Sequence, residues 1–137
     1  MRKIKFRAWD ISEKCWIDIK SMGFEGSRKS NELWYVQACD ENERDIDPPY
    51  FPEMGDIELL QFTGLHDKNG REIYEGDVLY HPVQGYRRVF YPYSDRVAAF
   101  GLREIYNGMG STLDNPFLYE IIGNIHEHPN LLEQADE

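Results

Sequence analysis

The residues of this chain that could do chemistry cluster in a few short stretches. The densest is TGLHDKNGREIYEGDVLYH, Thr63 to His81, with two glycine-centred turns among acids, Lys and Arg. Glycine, Asp and Lys in a tight loop can cradle a phosphate or hold a cation. A phosphate-binding P-loop needs Gly-x-x-x-x-Gly-Lys-Ser/Thr, and no Lys-Ser/Thr pair follows the glycines here. A calcium loop of the EF-hand kind needs acids at alternate positions ending in Glu, and Asn69, Arg71 and Ile73 break that series. A type I turn fits better. Asp67 can accept the backbone N–H two residues on, while Asn69 and Gly70 suit positions where φ turns positive. Gly76 in YEGDV meets the same need. Asp67, Asn69, Gly70 and Gly76 are therefore read as structural turn residues.

The remaining candidates are thinner. His126 and His128 in IHEHP would share one strand face and, with Glu127 or His81, offer imidazole ligands for zinc. No third ligand stands at a recognisable spacing, and Pro129 ends the strand, so surface imidazoles are the expectation. Asp45/Asp47 and Glu75/Asp77 pair carboxylates, but acid–base work needs a cleft that drives their pKa values apart, and DID lies in an irregular acidic loop. Ser94, Ser111, Cys15 and Cys39 sit in no nucleophile motif, and Cys15, beside Trp16, reads as a packing residue. GYRRVFYPY sets Arg87 and Arg88 among aromatics that include Tyr91 and Tyr93, the mixture single-strand binders use for stacking and phosphate contact. These four are the candidate interaction residues. No catalytic residue, cofactor site or metal site is assigned.

Composition narrows the partners. The 137 residues carry a net charge of −10, and the charge is uneven. Residues 1–29 hold eight Lys/Arg against four Asp/Glu, residues 30–60 one against nine, and residues 61–137 six against twelve. Such a surface repels nucleic-acid phosphates and membranes, which makes nucleic acid an unfavoured partner. The basic head can fold against the acidic middle, within the chain or between subunits. No apolar run approaches the roughly 20 residues of a spanning helix. The N-terminus lacks an apolar signal core, and two cysteines outside any CxxC motif suit a reduced, cytosolic protein. Aromatic content of 14% exceeds what a core of this size encloses, so some rings belong at a subunit contact.

The elements that position these residues read as strands. IKFRAWD alternates, with Ile4, Phe6 and Ala8 opposite Lys5, Arg7 and Trp9; CWIDIK alternates again, giving an N-terminal hairpin. GFEGSRKSN is a loop and ELWYVQA a strand. CDENERDIDPPYFPEMG, acidic and Pro-rich, is an irregular excursion. DIELLQFTG is a strand with Ile57, Leu59 and Gln61 on one side. REIY, DVLYH, YRRVFYPY, RVAAFGL and FLYEIIGNI follow as short strands with turn signals between them, which suits a small SH3-like barrel or a strongly bent sheet. HPNLLEQADE offers a short C-terminal helix beginning at Pro129. The expected fold is thus all-β or β-rich α+β, with an N-terminal β hairpin region over residues 1–56 and a small SH3-like barrel with a terminal helix over residues 57–137.

RKIKFRAWD, LLQFTGLHDKNGREIYEGDVL and YEIIGNIHEHPNLL, in that order, resemble the three signature blocks of the YopX family of bacteriophage and prophage proteins. The blocks bracket nearly the whole chain. Their combination is specific, although no single block is. The resemblance implies a mostly β fold with a barrel-like C-terminal domain, a phage or prophage origin and self-association. It carries no catalytic residues. Tyr80 to Pro116 and Asp40 to Gly55 match least well. The expected function is that of a non-enzymatic accessory or interaction protein in the bacterial host cytoplasm, homo-oligomeric, with a host or phage protein as a further partner. The alternatives are an acidic modulator of a host nucleic-acid enzyme, with Asp40, Glu41, Glu43, Asp45 and Asp47 spaced as a DNA mimic, or a weak single-strand binder through Arg87 and Arg88.

Overall fold

The structure, a computed structural model, describes residues 4–24, 33–40, 42–91, 99–104, 110–113 and 115–130. Tyr93, Ser94, Glu41 and all of the C-terminal helix expected from Pro129 except its first two residues lie outside this set. The chain is mostly β and divides into two compact units, Phe6–Leu60 and Gln61 onward together with the residues up to Lys5.

In the N-terminal unit, β1 (Phe6–Asp10), β2 (Cys15–Phe24) and β3 (Leu33–Cys39) form an antiparallel sheet in the order β3-β2-β1, with the start of β4 (Ile57–His66) beyond β1. The expected hairpin is present, with Ala8 opposite Ile17 and Trp9 opposite Trp16. Asp10 builds its turn: the carboxylate accepts the N–H groups of Ser12 at 3.0 Å and Glu13 at 2.9 Å and the Ser12 hydroxyl at 2.8 Å. Ala8, Ile17, Val36, Ala38 and Ile57 make the core.

The alternation of β1 is less simple than the sequence suggests. Ile4 is exposed, whereas Trp9, on the expected polar face, is buried. Trp9 meets Trp16 edge-on at 4.8 Å, and the Arg7 guanidinium lies 4.0 Å above the Trp16 ring. Cross-strand aromatic contact and cation–π attraction make the second face apolar too, each contributing about 0.5–1.5 kcal/mol. Cys15 is exposed at the hairpin end instead of packed.

The acidic segment after β3 is irregular but tied down. Asp40 accepts the N–H groups of Asn42 and Arg44, both at 2.8 Å, and Asp45 bridges back to Cys39. The Ala38 N–H donates to the Tyr50 carbonyl at 3.0 Å, and a 3-10 turn, Met54–Asp56, leads into β4.

In the C-terminal unit the second half of β4 pairs with β5 (Glu72–Tyr74), with Phe62 opposite Tyr74. β6 (Asp77–His81), β7 (Gly85–Phe90), β8 (Gly101–Glu104), β9 (Gly110–Thr112) and β10 (Glu120–Asn124) form an antiparallel sheet in the order β10-β6-β7-β8-β9. The expected SH3-like barrel does not close, because β9 and β10 share no ladder among the described residues and stand at opposite edges. β10 is also shorter than FLYEIIGNI implies. Asn115 adopts a left-handed φ of 51°, and Pro116 opens a 3-10 turn, Pro116–Leu118, that delays the strand. Along β4 the buried residues are Ile57, Leu60 and Phe62, so the expected face of Ile57, Leu59 and Gln61 does not persist beyond the first of them. Ile73, Leu79, Val89, Leu102, Leu113, Tyr119 and Ile121 pack as the core.

Gly70 and Gly76 both hold positive φ, at 79° and 86°. Their surroundings differ: a Cβ on Gly70 meets open space, whereas one on Gly76 would sit 3.2 Å from Asn124 Nδ2. Gly70→Ala should therefore cost only the left-handed backbone penalty, about 1–2 kcal/mol, and Gly76→Ala measurably more. Urea denaturation of the two variants checks this; equal losses would contradict the close packing of Asn124 on Gly76.

Candidate functional site

The opening motif folds as two turns clasped to β10. The Asp67 carbonyl accepts the Gly70 N–H at 3.0 Å, closing the first turn. Asp67 Oδ1 accepts the N–H groups of Asn69 and Arg71, each at 2.9 Å, and Oδ2 accepts that of Ile121 at 3.0 Å. The Lys68 N–H reaches the Tyr119 carbonyl at 2.9 Å, Arg71 Nη1 donates to the Ile121 carbonyl at 3.1 Å, and Lys68 Nζ lies 3.7 Å from Glu120. Burial pushes the Asp67 carboxyl upward, but the three N–H donations and the Arg71 charge outweigh it and hold the group below the ordinary Asp range.

The second turn repeats the device. Asp77 Oδ2 accepts the Tyr74 N–H at 2.8 Å, and Oδ1 accepts Asn124 Nδ2 at 3.0 Å. Asn124 Oδ1 in turn accepts the His126 N–H at 2.9 Å, and His128 Nδ1 faces the Asn124 N–H at 3.3 Å. Asp67, Asp77 and Asn124 are all buried. A buried carboxylate receiving this many donors organises backbone. The pair Glu75/Asp77 is thereby separated in role, and His126 and His128 belong to the turn after β10. Among the described residues no three His, Cys, Asp or Glu side chains gather as a metal set.

Cys39 is buried in β3, and burial together with the charges of Asp18, Glu43 and Asp40 pushes its thiol up, away from the nucleophilic thiolate. In the acidic loop Asp40 caps its own turn and Asp45 pairs with Lys20, so the basic head and acidic middle meet at this contact. Arg87 and Arg88 are neighbours on β7 and point to opposite faces. Arg87 shares the face of Val89 and its partner Leu79, and Arg88 that of Val78 and Arg103. Tyr91 packs on Phe100 at 4.9 Å. The expected Arg–aromatic cluster is therefore divided.

An aromatic edge on the N-terminal unit is the feature that motif reading missed. β3 ends its sheet, with a strand ladder on one side only among the described residues. Val36 and Ala38 fill the core and Leu33 packs against it, while Trp34, skipped by the register at a β-bulge, is 68% exposed. Phe24 and Phe51 stand about half exposed. The Tyr35 ring lies over Gly23, its register partner, in the space where a Cβ would sit, and meets Phe51 at 5.9 Å and Trp34 at 6.0 Å. The sequence signal was the glycine placed opposite a tyrosine, visible only once the register is known.

A family model described as YopX protein matches residues 5–133. The chain belongs to the YopX family. Two solved structures share its fold. Protein EF1440 from Enterococcus faecalis is 25% identical, with 96% of this chain and 99% of that chain covered and a TM-score of 0.54. Protein yopX from Bacillus subtilis is 13% identical over 96% of this chain and 98% of that one, with a TM-score of 0.52. No curated protein matches the chain significantly. The YopX match spans both units, so the clasped turns and the aromatic edge both lie within it.

The lowered Asp67 carboxyl makes acid stability a test of the clasp. Its contribution is complete above the ordinary Asp value of 3.8 and is lost as pH falls through the lower folded value. Asp10 is lowered too, by the Glu13 N–H and by Ser12, and acts in the same direction. Asp67→Asn should start about 1–3 kcal/mol less stable and lose less than the wild type between about pH 5 and pH 2. Urea melts across that range measure it, and parallel declines would contradict the role given to Asp67.

Proposed function

We propose that this YopX-family protein is a non-enzymatic accessory protein of phage or prophage biology that works by protein–protein contact, beginning with its own self-association through the aromatic edge of β3. The observation that carries the reading is Trp34, the extra residue at a β-bulge between Leu33 and Tyr35, which stands 68% exposed while Leu33 packs on the core. A large ring left in water at a sheet edge, with Phe24 and Phe51 also about half exposed, is the composition found at buried interface centres. β3 also ends its sheet; Tyr50 and Asp45 cover its outer edge at Ala38 and Cys39, and an edge left open before them pairs readily with another chain.

The polar groups support the same reading. Asp67, Asp77, Asn124 and His128 are engaged in holding turns, which leaves binding as the use for the surface. In the acidic loop Asp40 turns to its own backbone and Asp45 is neutralised by Lys20. A phosphate-like row of free charges is thus less favoured than an aromatic contact. A second copy of the chain is the first partner in this reading; a host or phage protein is a further occupant of the same surface.

Light scattering after size exclusion tests it. The wild type should show a mass above that of one chain in the micromolar range, and Trp34→Lys should weaken association by at least about tenfold with an unchanged circular-dichroism spectrum. A single-chain mass for the wild type throughout that range, or a Trp34→Lys variant that associates as before, would overturn the proposal.

A further inference from the structure

The C-terminal unit contains a cavity of about 450 Å³ lined by His81, Gln84, Arg87, Ser111, Leu118 and Tyr119 among others. That volume lies in the range of small-molecule sites, roughly 300–1,000 Å³. Although the chain carries 25 Asp and Glu, none of the lining residues is acidic among the described residues. Among the described residues Arg87 supplies the only guanidinium or ammonium group on the wall.

Arg87 is held for use. Its position on β7, two residues before the core residue Val89, aims the side chain along the core face of the sheet. Nη2 donates to Gln84 Oε1 at 3.1 Å, which fixes the plane of the guanidinium. Nε is buried and has no acceptor among the described residues. A buried donor on a cation that lacks an acceptor is costly, and an anion brought into the cavity would relieve that cost.

The rest of the wall suits an organic anion. His81 Nδ1 accepts the N–H groups of Val83 at 3.0 Å and Gln84 at 3.1 Å, so the proton of the neutral ring sits on Nε2 and makes it a donor. Ser111 adds a hydroxyl, while Leu118 and the Tyr119 ring, which packs against His81 at 5.3 Å, give an apolar side. We propose that this cavity binds a small organic oxyanion, one phosphate or carboxylate group carried on an apolar or aromatic body, with Arg87 as the anion-binding residue. One cation and neutral donors match a single anionic group, and the apolar wall receives the body that carries it.

A titration of the full chain followed by proton–nitrogen correlation spectra tests this, with phenyl phosphate, benzoate, inorganic phosphate and phenol as probes. Phenyl phosphate or benzoate should shift the Arg87 Nε–H resonance and the Ser111 amide saturably, and the tighter of the two identifies the anion. Phenol should shift neither. Inorganic phosphate should bind several-fold more weakly than phenyl phosphate. Arg87→Gln should weaken binding at least about tenfold, and Leu118→Asp, at a half-exposed position that tolerates substitution, should weaken it with the fold intact. Glu104 is the register partner of Arg87, so the titration is repeated in Glu104→Gln. The proposal is overturned if neither organic anion moves the Arg87 resonance, if binding survives Arg87→Gln and Leu118→Asp, or if it occurs only in Glu104→Gln. Equal binding of inorganic and phenyl phosphate would remove the organic body from it.

Discussion

Two buried carboxylates, Asp67 and Asp77, fasten the turns around β5 to β10, and the C-terminal unit depends on them. β10 is far from these turns in sequence, and its pairing with β6 carries a bulge between Ile121 and Gly123. A short, bulged edge strand has little ladder of its own to hold it. Asp67 supplies an acceptor to the Ile121 N–H before the bulge, and Asp77 grips the Asn124 side chain after it. The Ile125 N–H then closes on the Gly76 carbonyl at 2.9 Å. Each carboxylate thus satisfies its own turn and one point on β10. Removing either would leave buried N–H groups without acceptors, which is more costly than the loss of an exposed bond.

Most strands were legible in the sequence because alternation and turn residues agree over them. Asp67–Gly70 and Gly76 read correctly as reversals for a local reason, namely that φ preference and Asx hydrogen bonding act within a few residues. The second partner of each aspartate was not legible. Nothing in DKNG or YEGDV announces Ile121 or Asn124, since that contact is set by tertiary register. The same limit divided Arg87 from Arg88, which adjacency seemed to unite but which the strand pleat sends to opposite faces. It also hid the Tyr35 ring over Gly23. Closure of the barrel was inferred from strand count, yet closure depends on whether the last strand meets the first, and Asn115 with Pro116 spends residues on a 3-10 turn before β10 begins.

The two units use their side chains differently. In the C-terminal unit the buried carboxylates and Asn124 are turned inward to hold backbone, and Arg87 stands apart as a half-buried cation whose buried Nε has no acceptor among the described residues. In the N-terminal unit the aromatic residues exceed what the small core of Ala8, Ile17, Val36, Ala38 and Ile57 can enclose, and the surplus gathers along β3. Family membership fits this arrangement. The stretches most useful for recognising the chain are the ones whose residues lock the fold, so they identify it without disclosing an activity.

Amide hydrogen exchange tests the central claim most directly. The N–H groups of Ile121 and Tyr74, donors to Asp67 and Asp77, should exchange only through global unfolding, with free energies equal to each other and to the denaturant value. The exposed Val83 and Gln84 amides, donors to His81 in a surface turn, should exchange by local opening and far faster. If Ile121 and Tyr74 exchanged as fast as Val83 and Gln84, the clasp would be a surface ornament and the account of this unit would fail.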